Sequence, residues 1–456
     1  LIEVIDSLDF DRLIIGEISS RHSKVLKAYF LDNKIEFKQK KKRKLLFIRE
    51  ILFNLMMLTY SIFSIFLLLL NNKRRIGSYT GDFIYQNTKS DFRLNHLYAK
   101  YKEKQINYVE FIRETTIKNF FVNIVKRIRP AIYYTSIIYF VNLFTKNLIY
   151  RKEPKDFLQS ILYGYHKTNI VFIRSVPLIE KILNILKINK FVLISFSSRS
   201  ALIAVAAKSQ NINTIGIMHG LSQKEYVVHE FIESYYENKK IGCDVFGVWS
   251  NYYLDYFKKY SKVMSSNSIS YSGLLRPVQN FDTSFSYKTI SKDKIKVLLI
   301  SEPLISVKEI IPYLKSLLRH KDIEIAIKVR PMIEDKYYEE MKFVFPEVKG
   351  LEIYDGKIED VGKNFDVFIG SMSTAIIEAC LFGKISVLLN TKKFGDYYSI
   401  DSLIPNYSLL VKDSELLYKH ILDRIVNEKS INSIESIRNR FFGENKDGAQ
   451  WIVEQL

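Results

Sequence analysis

Phe365-Asp366-Val367-Phe368-Ile369-Gly370-Ser371-Met372-Ser373-Thr374-Ala375-Ile376-Ile377-Glu378-Ala379-Cys380-Leu381-Phe382-Gly383-Lys384-Ile385-Ser386-Val387-Leu388-Leu389-Asn390 reads as strand, tight turn, helix and strand. Asp366–Ile369 is a short apolar run. Gly370 with the hydroxyls Ser371, Ser373 and Thr374 supplies a turn and a helix cap. Ala375–Leu381 is a compact helical run, Phe382-Gly383 ends it, and Ile385–Leu389 is a second buried strand. The free N–H groups at a helix start favour an anion, and hydroxyls there add donors. Glu378 follows Thr374 by four residues, about one helical turn, and so shares its face. A phosphate on the cap and a ribose held by the carboxylate fit this pattern. So does an ordinary strand–helix unit with a solvated Glu.

Working outward, the same alternation fills the C-terminal half. Strands are expected at Lys294–Ile300, Ile323–Val329, Leu351–Tyr354 and Leu409–Val411. Helices are expected at Val307–His320, Asp335–Phe345, Glu415–Val426 and Ile431–Phe442. Phe281–Asp293 is polar and without hydrophobic period, and serves as the linker. Before it, strands are expected at Lys190–Ser195, Asn213–Met218, Gly242–Trp249 and Ser268–Ser272, with helices at Phe157–Tyr163, Pro177–Leu186, Ser197–Ser209 and Tyr252–Tyr260. Pro177 is read in a first helical turn, where its missing N–H costs nothing. Alternating strands and helices imply parallel sheets covered on both faces. The expected fold class is therefore α/β, with two Rossmann-like domains facing a cleft: 1–280, a linker at 281–293, and 294–428, followed by C-terminal helices over 429–456.

The first 150 residues are less regular. Arg12–Glu17 and Lys34–Phe37 read as strands around a helix at His22–Leu31. Asp82–Tyr85 reads as a further strand, and Tyr98–Lys126 as basic and helix-prone. Ile51–Leu70 carries no charge over about 20 residues, the length that spans a bilayer. It is interrupted by Asn54, Thr59, Ser61 and Ser64 and flanked by Lys/Arg at both ends, so no orientation follows. Three readings compete for it: a helix docked on a membrane, a true span, and a buried core helix.

Composition sets limits. The chain has 456 residues, room for two ordinary domains, and is 47% hydrophobic, enough for large cores. Lys+Arg 68 against Asp+Glu 49 gives a formal charge of +19. That excess favours anionic partners, although a Lys-rich composition alone explains it equally well. Cys243 and Cys380 are the sole cysteines and lie in apolar segments, which argues against a disulfide framework and suits a reducing cytosol. The seven His are scattered, with no Cys/His metal spacing. The basic clusters are short and carry no nucleic-acid motif. The chain opens on Leu1, which leaves its natural start open, and no cleavable signal pattern begins it.

Further residues stand where chemistry gathers in open α/β sheets, beyond strand C-termini. Gly216-Ile217-Met218-His219-Gly220 ends a strand, and His219 there suits a general base or a phosphate contact, or simply a turn. His229 and Glu230 follow in an aromatic polar stretch. Lys328-Val329-Arg330-Pro331 ends another strand, and Arg330 suits a pyrophosphate by bidentate contact. Ser301-Glu302-Pro303 and Arg276-Pro277 complete the candidates; a turn role is the more natural for the first, and Arg276 would stand at the mouth of the cleft.

In this order, Gly216–Gly220, Phe246–Trp249, Gly273–Pro277, Lys328–Pro331 and Gly370–Gly383 resemble the GT-B glycosyltransferases of bacterial surface-polysaccharide synthesis. The nearest groups are the capsule-polysaccharide, Kdo-transferase and CDP-glycerol glycerophosphotransferase-like ones. The resemblance covers roughly residues 190–426. It implies a nucleotide-sugar donor, with its phosphates on Ser371, Ser373 and Thr374, Glu378 on the sugar or ribose, and His219 as the acceptor-side base. It further implies a glycan or lipid-linked acceptor and an inverting reaction without metal or resident cofactor. A cytoplasmic enzyme on the inner face of the membrane follows. One departure stands out: Arg330-Pro331 occupies the place where these relatives carry His-Pro, which removes a titratable group and weighs against the CDP-polyol phosphotransferase branch. A nucleotide-sugar 2-epimerase of the same fold and a non-enzymatic polyanion- or membrane-binding protein remain as alternatives.

Overall fold

The computed structural model describes residues 12–15, 36–39, 44–71, 73–81, 91, 93–113, 115–127, 130–149, 157–194, 198–218, 220, 242–261, 264–276, 294–302, 305–329, 336–354, 358–371, 373–392, 409–426, 429–444 and 446–456. Two compact units emerge. One comprises Leu1–Asp82, Ile106–Val192 and Ser200–Asn213; the other comprises Phe83–Gln105, Leu193–Arg199 and Thr214–Leu456.

Two sheets carry the fold. Beyond a short parallel pair, β1 (Arg12–Ile15) and β2 (Glu36–Gln39), the first sheet has the order β5-β4-β3-β6-β7-β8-β9. Its strands are β3 (Arg75–Thr80), β4 (Tyr108–Ile112), β5 (Ala131–Ile132), β6 (Ile188–Ile194), β7 (Asn213–Ile217), β8 (Val245–Val248) and β9 (Ile269–Tyr271). The β3/β4, β4/β5, β7/β8 and β8/β9 pairs are parallel. The second sheet has the order β12-β11-β10-β13-β14-β15 and is parallel throughout. Its strands are β10 (Ile295–Ile300), β11 (Ile323–Lys328), β12 (Glu352–Tyr354), β13 (Val367–Gly370), β14 (Ile385–Leu389) and β15 (Leu410–Val411). The two parallel sheets bear out the α/β expectation. Continuous apolar strands such as Ile385–Leu389, buried at every position, are what helices on both faces require.

Before β6 the structure adds strands to the sequence reading and departs from it in two helices. The strand after the apolar helix is β3, Arg75–Thr80; the expected one at Asp82–Tyr85 lies outside the described residues. All six residues of β3 are buried despite their polar look, and a Cβ on Gly77 would meet the Phe191 ring at 2.3 Å. The stretch read as helix-prone, Tyr98–Lys126, breaks into α2 (Asn95–Glu103), β4, α3 (Ile117–Val122) and a π turn over Asn123–Arg127. Its Lys-rich ends hid the aromatic and β-branched run Tyr108–Ile112, which takes an inner place in the sheet. Ala131–Ile132 forms β5, just before α4 (Tyr134–Ile149). Finally, Pro177 lies inside one long helix, α5 (Phe157–Ile185), rather than beginning a new one. Its fixed φ is helical, so the ring removes a single hydrogen bond without ending the helix.

Among the described residues, one helix is long and apolar enough to cross a membrane, namely α1 (Lys44–Leu69). Its inner side lies along β5, the edge strand. Ser64 Oγ accepts from Ala131 N at 3.2 Å, and Ser61 Oγ accepts from Tyr133 N at 2.9 Å while donating to Met57 O at 2.8 Å. These hydroxyls satisfy N–H groups that an edge strand otherwise leaves open. Met57, Phe53 and Tyr60 pack with Phe120 and Tyr133. Buried Arg75 closes the helix: its guanidinium donates to the carbonyls of Leu68, Asn71, Lys73 and Leu186. That supplies donors where a helix end has none, and burial lowers the guanidinium pKa.

In the second unit the chain's end returns to the first sheet. α7 (Asn251–Tyr260) packs on α13 (Lys429–Phe441), Trp249 stacks on Phe442, and Ser250 Oγ donates to Arg440 O at 2.5 Å. The last helix, α14 (Gly448–Glu454), begins at Asp447, whose Oδ1 accepts from Ala449 N and Gln450 N, both at 3.0 Å. Gly273 holds φ +81° beside it, where a Cβ would lie 2.3 Å from Lys446 O, so only glycine fits. Cys243 and Cys380 are both free and buried.

Candidate functional site

Strand order locates the site. From β10 the chain runs outward to β11 and β12, then returns to place β13 on the other side of β10. Such a reversal opens a crevice beyond the strand C-termini, between β10 and β13. The first polar residue after each strand meets there or beside it. Ser301 and Glu302 follow β10 and are buried to 1% and 2% exposure; Ser371 follows β13 at 1%. Lys328 ends β11, buried, with its ammonium donating to Val329 O at 2.7 Å, while its own carbonyl accepts from Ser301 N at 2.9 Å.

Ser371 Oγ lies 3.0 Å from Thr391 Oγ1, a buried hydroxyl pair that joins the ends of β13 and β14. The loop carrying Thr391 is fixed from α8 (Val307–Leu318). Tyr313 OH donates to Asn390 O at 3.2 Å and Val411 O at 3.0 Å, and Glu309 Oε2 accepts from Lys392 N at 2.7 Å. Burial, foremost, raises the Tyr313 pKa, so the phenol stays a donor. Thr391 escaped the sequence reading. The signal was available: it stands just past a buried strand, as Ser301 and Ser371 do.

A Cβ on Gly370 would fall 2.6 Å from Ile376 Cδ1, so a larger residue there would displace the Ile376 side chain. The helix after it, α11 (Thr374–Glu378), is shorter than expected and tightens into a 3-10 turn over Ala379–Phe382, closed by Gly383 at φ +65°. Ser373 is its N-cap by backbone geometry, but its hydroxyl makes no capping bond. Ser386 Oγ donates to Ile376 O at 2.6 Å and ties α11 to β14. Glu378 ends α11, partly exposed. At the base of β13, the Asp366 carboxylate accepts from Lys296 N at 2.9 Å, and burial raises its pKa.

Within the same unit, the loop after β7 comes to this cap. A Cβ placed on Gly220 would stand 3.9 Å from Thr374 Oγ1. His219, His229, Glu230 and Arg330 lie outside the described residues. Arg276 lies half-buried just past the Leu274–Asp447 bridge. Among the described residues no group of three or more His, Cys, Asp or Glu is placed to hold a metal. Metal independence rests on resemblance alone, because the chain does carry an Asp-x-Asp triplet, Asp9-Phe10-Asp11, also outside the described residues.

No known protein family and no curated protein matches the chain by sequence. Solved structures match its shape. A putative UDP-N-acetylglucosamine 2-epimerase from Listeria monocytogenes aligns with a TM-score of 0.52 at 10% identity, over 84% of this chain and 95% of its own. The UDP-GlcNAc 2-epimerase of Neisseria meningitidis, solved bound to UDP-GlcNAc, aligns at 0.50 and 10% identity, over 84% and 99%. MurG of Acinetobacter baumannii aligns at 0.50 and 10%, again over 84% and 99%. Identities this low speak for architecture and not for reaction. With its two parallel α/β sheets, the chain has the GT-B-like fold of these enzymes.

Proposed function

We propose that this chain is a glycosyltransferase that uses a nucleotide-activated sugar. One observation carries the reading: buried polar side chains from β10, β11, β13 and β14 gather at the switch point of the second sheet, with the Gly220 loop against Thr374. The fold, shared with solved UDP-GlcNAc 2-epimerases, supports it.

In this reading the donor's phosphates accept from the backbone N–H groups and hydroxyls of the Ser373–Thr374 turn, with Arg330 as counter-charge. Glu378, one turn on, accepts from the ribose hydroxyls. An acceptor hydroxyl on a bacterial surface glycan attacks the anomeric carbon from the opposite face. The C–O bond to the phosphate breaks, the configuration inverts, and the nucleotide departs with the bonding pair. His219 takes the acceptor's proton, and the cap and Arg330 stabilise the leaving charge without a metal.

A second reading, a nucleotide-sugar 2-epimerase, is favoured by the epimerases among the matching structures and by buried Glu302 at the switch point. Incubating the protein with labelled nucleotide sugars, with and without a glycan acceptor and a chelator, separates the two. Acceptor-dependent nucleotide release that survives chelation supports transfer. Acceptor-independent isomerisation of the sugar would establish the epimerase instead.

A further inference from the structure

The helix α1 is inverted relative to a surface helix of a water-soluble protein. Its packed side buries Met57, Ser61 and Ser64, with Phe53, Asn54 and Tyr60 partly buried beside them, so its hydroxyls and amide face inward. Asn54 donates to Glu50 O at 2.8 Å, and the two serines serve the edge of β5. The opposite face is almost wholly apolar and open: Leu52 at 54% exposure, Ile62 at 60%, Phe63 at 54% and Phe66 at 58%, with Leu70 just past the helix end at 72%. Only 22% of its most apolar stretch is buried. A helix against water carries the reverse pattern, and an apolar patch of this extent marks an interaction surface.

The patch continues onto neighbouring elements. α4 packs on α1 and exposes Phe144, while α3, whose Phe120 meets Phe53 and Tyr60, exposes Phe121, and the π turn after it exposes Val125. The ends of the patch are cationic. Arg49 is exposed at one end of the helix and Lys73 and Arg74 just beyond the other, with no acidic residue between 51 and 74.

We infer that α1 lies flat in the surface of an anionic lipid bilayer, with its outward face among the acyl chains and the terminal cations at the headgroups. The length suits this: the 23 residues Phe47–Leu69 extend for about 35 Å. A span is disfavoured because α1 is hydrogen-bonded to the edge of β5, and crossing would draw sheet backbone into hydrocarbon. A second copy of the chain is disfavoured because an antiparallel pairing of this face would set Arg49 of each helix beside Lys73 and Arg74 of the other, cation against cation. Anionic headgroups supply the missing complement. The inference is independent of the reaction the enzyme performs.

The test is flotation of the full chain with vesicles of phosphatidylcholine alone or with a quarter phosphatidylglycerol. The parent is expected to float with the anionic vesicles, less with neutral ones, and to be stripped by alkaline carbonate. Ile62→Glu with Phe66→Glu should lower flotation by about tenfold at unchanged melting temperature. Leu52→Ser with Phe63→Ser serves as a second pair should the first fail to fold. Lys73→Glu with Arg74→Glu should remove the preference for anionic lipid. Three results would overturn the inference: no flotation of the parent, retention after carbonate as for a span, or a dimer that Ile62→Glu/Phe66→Glu dissociates without any vesicle binding.

Discussion

Gly220 and Thr374 are 154 positions apart in sequence, yet a single added Cβ on the first would come within 3.9 Å of the second's hydroxyl oxygen. Gly220, just past β7, and the cap that opens α11 therefore border the same space. In the proposed reaction that is where the acceptor's base and the donor's phosphates must meet. A contact at 3.9 Å is ordinary, so Gly220→Ala should fold normally, with stability within about 0.5 kcal/mol of the parent. Gly220→Phe should also fold but fill the space, cutting transfer by about a hundredfold. Equal activity of the two variants in a transfer assay would show that this space is not the reaction site.

The Ser371–Thr391 hydroxyl pair should behave as a unit. Removing either hydroxyl leaves the other buried without its partner, at a cost of about 1–3 kcal/mol. The double variant Ser371→Ala/Thr391→Ala should be less destabilised than the sum of the singles by about 1 kcal/mol, read from urea unfolding. Strict additivity would show that the pair contributes no coupling.

Asp447 ties the C-terminal helix α14 to α2. Its Oδ2 lies 3.0 Å from both His96 Nε2 and Lys100 Nζ, while Oδ1 caps the helix. Burial alone would raise its pKa, but the Gln450 N–H, His96 and Lys100 outweigh it, and the carboxyl sits below its ordinary range. A folded-state pKa below the unfolded one gives stability that is present above the unfolded value, near 4, and lost as pH falls through the folded one. The parent should therefore lose this increment below about pH 4, whereas Asp447→Asn should lack it at pH 7 and show a flatter acid profile. At this partly exposed site the increment is about 1 kcal/mol. Parallel acid profiles of the two proteins would contradict the assignment.

Arg75 should be among the costliest single positions in the first unit. Its guanidinium meets four carbonyls where α1 ends and β3 begins. Arg75→Met should cost about 3 kcal/mol by urea unfolding, because those carbonyls stay buried without donors. Arg75→Lys should recover only part of this, since an ammonium lacks the fork that reaches all four. Full recovery by Lys would mean that charge alone, and not the geometry, closes the helix.

What the sequence disclosed followed the physics of each segment. β10, β11, β13 and β14 are apolar runs bounded by polar residues, and buried parallel strands take that form, so their positions were legible to within a residue or two. β3 and β4 were not, because Arg75, Ser78, Thr80 and Glu110 are buried by tertiary structure that no local pattern reveals. The interruptions in the apolar stretch of α1 looked like flaws in a hydrophobic helix. Ser61 and Ser64 prove to line its inner side, which becomes visible only once β5 is known to be an edge strand. At the site, Ser371 was picked out as an anion donor, yet its hydroxyl is engaged by Thr391, a partner 20 residues away that strand order alone brings near.

Nucleotide binding tests the central claim most directly. The purified chain and its Glu378→Ala variant would be melted with CMP, CDP, UDP, GDP and dTDP in turn. At about 100 times its Kd, a bound nucleotide adds about 2.7 kcal/mol of stability, a shift of several degrees. The expected result is that one nucleotide stabilises the parent selectively and the variant little or not at all. If no nucleotide shifts the parent, or if the variant responds equally, the second sheet's switch point is not a nucleotide-sugar site.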